Sequence, residues 1–385
     1  MNNFMYENKT RVYFGKGGVK EHLGSLLQNY GDTVMLAYGG GSVRRNGVYD
    51  EVAGILTAAG KRIVDFGGIM PNPTYAKVQE GARLARENHV DLILAVGGGS
   101  VSDCCKVVSA QALSDGDLWE MENEKRVFPT RFIPLGTIVT VFGTGSEMNN
   151  GAVITHEEKK IKGALWGAQA DFAFLDPTYT LSVPMKQVIS GAFDTLSHAM
   201  ETYFGKPDEN NLSDDINEAV MRSTIRNIRV LLADPENYAA RSELAWASAM
   251  AENGILKIGK VTDFQCHMIE HQLGAYTDCN HGAGLAVLHP VLYRHIYQSG
   301  AARFARWAQN VWNIAPKASD EETAAAGVEA LAAFIREIGL PTSFAELGLP
   351  ADTDYRAVAD STVLTAGCCK TLTHDEIYDI LCECR

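Results

Sequence analysis

Nowhere in the 385 residues do about 18 consecutive apolar side chains occur, the least that spans a bilayer as a helix, so no membrane-crossing helix is expected. Cations are also in short supply. There are 34 Lys and Arg against 47 Asp and Glu, and the formal net charge of −13 argues against nucleic acid, which is held by clustered basic side chains. The first ten residues have no apolar run behind a basic start, so no secretory leader is expected there. The cysteines, Cys104-Cys105, Cys266, Cys279, Cys368-Cys369, Cys382 and Cys384, make no disulfide framework; reduced thiols in a cytoplasm fit best. Internal repeats and low-complexity tracts are absent, and so is the dinucleotide fingerprint G-x-G-x-x-G.

What is present suffices for two hydrophobic cores, with 46% hydrophobic residues in a chain long for one domain. Up to about residue 180, β-branched runs alternate with amphipathic stretches. Val34 to Tyr38, Arg62 to Phe66 and Asp91 to Val96 read as strands, and Tyr49 to Ala59 and Tyr75 to Glu87 as helices. Strand, helix, strand at this spacing predicts βαβ units and a mostly parallel sheet. After Asp176-Pro177 the pattern changes. Apolar residues recur at helical spacing, as in Glu243 to Ile255 and Glu321 to Ile338, which predicts a mainly helical second domain.

Two glycine runs stand where a strand gives way to a helix: Gly39-Gly40-Gly41-Ser42 and Gly97-Gly98-Gly99-Ser100. Free N–H groups at a helix start, with the positive end of its dipole, hold a pyrophosphate, and glycine lets the phosphate approach. Tight turns also use glycine for sterics alone. Many NAD-binding strands end in a carboxylate that grips the ribose 2′-hydroxyl; here Gly39 holds that place, followed by Ser42, Arg44 and Arg45. Open space, a hydroxyl and guanidiniums suit a 2′-phosphate, so NADP(H) is favoured over NAD(H); equally, both arginines read as solvated surface. A third segment, Thr137 to Glu147, is dense in hydroxyls and glycine, and reads either as a wall of the cofactor cleft or as a plain loop.

The helical half carries a sharper signal. Asp194 and His198 lie at i and i+4, on one helix face, and His267 and His271 repeat that spacing, with His281 beyond. A single straight helix would separate His267 from His281 by about 21 Å. Asp278-Cys279-Asn280 is a turn signal that folds the chain back between them. Carboxylate and imidazole donors clustered in this way point to a divalent cation.

In this order the motifs resemble the iron-containing alcohol dehydrogenase family, in its butanol dehydrogenase and aldehyde reductase branch. They are Phe14-Gly15-Lys16-Gly17, Tyr38 to Ser42, Pro71-Asn72-Pro73, Gly97 to Ser100, Thr144 to Glu147, Leu175 to Thr180, Glu270 to Leu273 and His281 to Ala286. The resemblance implies a dehydroquinate synthase-like fold, with an α/β dinucleotide-binding domain over 1–180 and an all-helical metal-binding domain over 181–385. It implies one divalent metal, iron(II) by family habit and with zinc fitting the same donors, on Asp194, His198, His267 and His281. It places His271 beside the nicotinamide rather than on the metal, a choice that spacing does not make. Further cofactor contacts are implied at Gly39, Gly40, Gly41, Ser42, Asn72, Gly97, Gly98, Gly99, Ser100, Thr140, Thr144 and Lys162. Asp103 is implied at the nicotinamide end and, with His271, in catalysis. The expected activity is hydride transfer between nicotinamide and a small alcohol or aldehyde, by a cytoplasmic homodimer. Phe142, Trp166, Phe204 and Tyr276 are candidates for an apolar substrate pocket, although aromatics of this kind are usually just core. A lyase of the dehydroquinate synthase kind is a rival, disfavoured because few Arg and Lys surround the ligand set. A non-catalytic dinucleotide sensor is another, disfavoured by the retained ligands.

Overall fold

The computed structural model describes residues 2–207, 209–367 and 369–385. Two compact units form, one over Glu7–Val183 and the other from the residues up to Tyr6 together with Pro184–Arg385.

The first unit is an α/β unit with strands β1 (Arg11–Phe14), β2 (Thr33–Tyr38), β3 (Arg62–Phe66), β4 (Leu92–Gly97), β5 (Leu135–Val139), β6 (Gly151–His156), β7 (Ile161–Trp166) and β8 (Phe172–Leu175). Its helices are α1 (Gly18–Leu26), α2 (Ser42–Arg45), α3 (Val48–Ala58), α4 (Tyr75–Glu87) and α5 (Gly99–Gln111). Six strands pair in parallel in the order β1-β8-β5-β4-β2-β3. The inner strands β2 and β4 are buried along their whole length and almost entirely apolar because both faces are covered: Met35, Ala37, Ile93 and Ala95 enter one core, and Val34, Leu36, Leu92 and Leu94 the other. Leaving β2, the chain adds β3 on one side and β4 on the other, so the order reverses between β2 and β4. Such a reversal opens a crevice at the carboxyl ends of the two strands, where ligands of α/β sheets bind. Register pairs Tyr38 with Val96, so the glycine runs at Gly39 and Gly97 emerge side by side at that crevice.

The antiparallel hairpin β6–β7 was not evident in the sequence. Its turn is the charged stretch Glu157 to Lys160, closed by Lys160 in left-handed φ 51 and by its N–H donating to the Glu157 carbonyl at 3.3 Å.

The second unit is helical. Its principal helices are α6 (Met185–Tyr203), α7 (Leu212–Ala233), α8 (Tyr238–Glu252), α9 (Gln265–Thr277), α10 (His281–Ile296), α11 (Ala301–Trp312) and α12 (Asp320–Glu337). The predicted helix from Glu243 to Ile255 stops at Glu252, because Gly254 takes φ 91 and breaks it. Phe204, expected near a substrate pocket, is instead core: it stacks on Phe304 at 4.0 Å between ring centroids and meets Tyr293 and Trp307 edge-on. Aromatic partners contributed by α10 and α11 decide this, and none is near Phe204 in sequence. The described cysteines are free thiols; Cys368 lies outside the described residues. No described helix is long and apolar enough to cross a membrane.

Candidate metal centre

Three helices of the second unit deliver the candidate ligands. On α6, Asp194 and His198 stand one turn apart on a buried face. His267 lies in the first turn of α9, and His281 is the first residue of α10. The two are brought together by the turn at Asp278 to Asn280. Asp278 ends α9 in left-handed φ 51, and the Asn280 side chain caps α10 by accepting the Ala283 N–H at 3.0 Å. The crossing with α6 is close: a Cβ on Gly282 would stand 2.2 Å from the Ser190 carbonyl oxygen, so only glycine lets α10 start there.

The result is a hub. Asp194 Oδ1 lies 3.5 Å from His267 Nε2, 3.5 Å from His281 Nε2 and 3.7 Å from His198 Nδ1. Donor atoms of Asp194, His267 and His281 all lie within 4.8 Å of one another, while His198 borders them with its ring stacked on His267 at 4.4 Å. Asp194 Oδ1, His198 Nδ1 and His267 Nε2 are buried without a hydrogen-bond partner among the described residues, a costly arrangement for a protein to keep unless something else binds there. A tetrahedral ion with bonds of about 2.1 Å separates its ligand atoms by about 3.4 Å, close to the spacings seen here. One carboxylate and three neutral imidazoles fit a divalent cation, and leave it with a net positive charge that suits an anionic oxygen.

Charge in the site agrees. Burial pulls the His267 imidazole down, but the carboxylates of Glu201 and Asp194 override it and push its pKa up to about 10. Burial raises Asp194, yet the imidazoles of His198, His281 and His267 hold it well below the usual carboxylate range. Burial lowers His198. The site therefore attracts positive charge: a proton on His267 when no cation is bound.

Two site residues were given no role from the sequence, although Glu270 opens one of its motifs. Glu201 Oε2 lies against His267 Nδ1, and Glu270 Oε2 against His281 Nδ1. Both carboxylates are fully buried. Glu201 sits three residues after His198 and Glu270 three after His267, so each shares a helix face with a ligand; that spacing was the available signal. His271 lies one turn beyond His267. It groups with Glu270 and His281, with donor atoms within 4.8 Å, and its ring is 5.5 Å from that of His281.

The remaining candidates lie in the α/β unit. Gly98 is the N-cap of α5 and offers no side-chain oxygen, so the first N–H groups of that helix are not capped by it. The loop after β5 crosses the turn closely: a Cβ on Gly99 would fall 2.3 Å from Thr144 Oγ1, and one on Gly98 would fall 3.2 Å from Val141 Cβ. Thr140 joins the same place, its N–H donating to the Gly97 carbonyl at 2.9 Å. Ser100 follows in the first turn of α5. Asn72 adopts left-handed φ 52 in the loop between β3 and α4, and Lys162 is buried in β7. Asp103 is engaged by protein donors on both oxygens, Ser146 Oγ–H on Oδ1 and the Val153 N–H at 2.8 Å on Oδ2. It thus ties α5 to β6.

At the first turn, a Cβ on Gly40 would meet no described atom within 4 Å, and one on Gly39 would stand 3.2 Å from the Ile69 carbonyl oxygen. Gly41, with φ 98, is the N-cap of α2, which Ser42 begins. Arg44 is taken. It donates to Tyr38 Oη at 2.5 and 2.9 Å and to Asp65 Oδ1 at 2.9 Å, and stacks on the Tyr49 ring at 3.7 Å. Arg45 instead lies along Gly41, its Nη1 3.5 Å from where a Cβ would be.

Residues 9–177 match the family described as iron-containing alcohol dehydrogenase, and residues 188–384 match the Fe-containing alcohol dehydrogenase family, C-terminal. The chain is 37% identical to NADH-dependent butanol dehydrogenase A of Clostridium acetobutylicum, over 91% of each chain. It is 36% identical to the NADPH-dependent aldehyde reductase YqhD of Escherichia coli, over 91% of this chain and 90% of that one. Among solved structures, NADH-dependent butanol dehydrogenase A of Thermotoga maritima superposes with a TM-score of 0.94 at 32% identity, over 100% of this chain and 99% of the other.

Proposed function

The chain belongs to the iron-containing alcohol dehydrogenase family, and from that premise we propose that it interconverts a small primary alcohol and its aldehyde, of the butanol and butanal class. The observation that carries this reading is the hub on Asp194, with His267, His281 and His198 at 3.5 to 3.7 Å from one oxygen. When bound there, a divalent ion supplies Lewis acidity toward the alcohol or carbonyl oxygen, and a nicotinamide donates or accepts the hydride.

The chain's own residues do the rest. Asp194 and the imidazoles of His198, His267 and His281 are the ligands, iron(II) being the family expectation and zinc fitting the same donors. The N-terminus of α5, which has no side-chain cap from Gly98, lies beside the Gly39 to Ser42 turn and receives the pyrophosphate. Thr140, Thr144, Asn72 and Lys162 line that cofactor region. Asp103 acts by position, holding α5 and β6 together. His271, within reach of His281 and Glu270, holds or passes the proton that the substrate oxygen gains or loses.

For the cofactor, NADP(H) is favoured over NAD(H). Gly39 brings no carboxylate to repel a 2′-phosphate, and Ser42 and Arg45 stand at the same turn. Arg44, held by Asp65, contributes less than the sequence promised.

The test follows NADPH and NADH oxidation with butanal, using protein stripped of metal and then reloaded with iron(II) or zinc. Turnover restored by metal, lost in His267→Ala and faster with NADPH, is the expected result. Full metal occupancy with no turnover on either cofactor would refute the dehydrogenase reading. Turnover faster with NADH would refute the cofactor preference alone.

A further inference from the structure

Two buried carboxylates stand behind the ligand set. We infer that Glu201 and Glu270 are positioning residues that fix the tautomer and ring orientation of His267 and His281, so that both Nε2 atoms face Asp194. The inference rests on the metal-centre reading above and deepens it.

Glu201 projects from α6 toward the start of α9. That start is irregular: Phe264 precedes it in left-handed φ 58 and gives no side-chain cap to the free N–H groups. Glu201 fills the place from another helix. Its Oε1 accepts the Cys266 N–H at 2.6 Å, and its Oε2 lies 3.3 Å from the His267 N–H and also receives that residue's Nδ1–H. One carboxylate thus fixes the backbone of the first turn and the ring that the turn carries. The ring cannot rotate without losing this acceptor. A negative charge at the positive end of α9 is favourable as well.

Glu270 does the same for His281. Its Oε2 receives the Nδ1–H of His281, and Cys279 Sγ–H points to its Oε1 at 3.7 Å. Gly284 leaves it room, since a Cβ there would stand 3.1 Å from Glu270 Cγ. A neutral imidazole that donates from Nδ1 presents its lone pair on Nε2, and a carboxylate partner makes that lone pair more basic. Both Nε2 atoms lie 3.5 Å from Asp194 Oδ1, as this requires. His198 differs. The nitrogen that it turns to Asp194 is Nδ1, at 3.7 Å.

The experiment measures zinc affinity by chelator competition in the wild type, Glu270→Gln and Glu201→Gln, along with the thermal midpoint of each protein without metal. Glutamine keeps the shape and removes the charge. Zinc binding is expected to weaken about 10- to 100-fold in each variant. Metal-free Glu270→Gln should melt no lower than the wild type, because a buried charge has gone. A role in folding alone would lower the midpoint and leave the affinity of the folded protein intact. Wild-type zinc affinity in Glu270→Gln would overturn the inference. Should Glu201→Gln fail to fold for want of its helix cap, Glu270→Gln, which caps no helix, decides the matter. A wild type that binds no zinc overturns the metal-centre reading itself, and this inference with it.

Discussion

A cation entering this site must displace a proton, and the size of that effect follows from the geometry. His267 is buried against the Glu201 and Asp194 carboxylates, which outweigh burial and push its pKa up to about 10. Metal binds only the neutral ring, so the apparent affinity should rise about tenfold per pH unit at all working pH values below 10. Between pH 6.5 and 8.5 that is about 100-fold, or about 2.7 kcal/mol at 1.36 kcal/mol per unit. Burial lowers His198, which weakens its own competition between proton and metal. The assay is zinc calorimetry on the metal-free protein in buffers of different ionisation enthalpy, which reads protons released per ion. At pH 7.5 that number should include the His267 proton, and Glu201→Gln should reduce it by weakening the hold on that proton. A second consequence has a definite sign. His267 has a raised pKa in the folded state, so its contribution to the stability of the metal-free protein is complete below about 6.5 and is lost as pH rises through about 10. Affinity that is flat from pH 6.5 to 8.5, with no proton released, would refute this reasoning.

Three substitutions probe other parts of the account. Gly282→Ala forces a Cβ to within 2.2 Å of the Ser190 carbonyl, so it should cost about 1–3 kcal/mol of stability and weaken metal binding by shifting His281; denaturant melts and chelator competition check both. Gly39→Asp places a carboxylate at the turn, with its Cβ 3.2 Å from the Ile69 oxygen, and should lower the ratio of NADPH to NADH kcat/KM by at least about tenfold. Phe204→Ala opens a hole in the aromatic core and should cost about 3–5 kcal/mol, while the KM for butanal of the folded protein stays unchanged.

The parts of this protein legible in its sequence are those whose cause is local. The glycine runs after β2 and β4, the strands that lead into them and the Asp278 to Asn280 turn each depend on neighbours in the chain. Partners supplied from a distance were not legible. Glu201 meets His267 across 66 positions; its spacing from His198 puts it on the ligand face of α6, but the ring it meets is supplied from α9. Arg44 looked free for a phosphate because Asp65, 21 residues on, was not known to lie on the adjoining strand. Phe204 looked like a pocket residue until α10 and α11 surrounded it. The β6–β7 hairpin was hidden by a turn made of charged residues in place of glycine or proline.

The central claim is that one divalent ion on Asp194, His198, His267 and His281 carries the activity. Stripped protein titrated with iron(II) or zinc, with bound metal and butanal-dependent NADPH oxidation followed in the same samples, tests it directly. Turnover should climb in proportion to occupancy, saturate at about one ion per chain and be absent in Asp194→Asn at every metal concentration. Turnover by the stripped protein, or undiminished turnover in Asp194→Asn, would contradict the account.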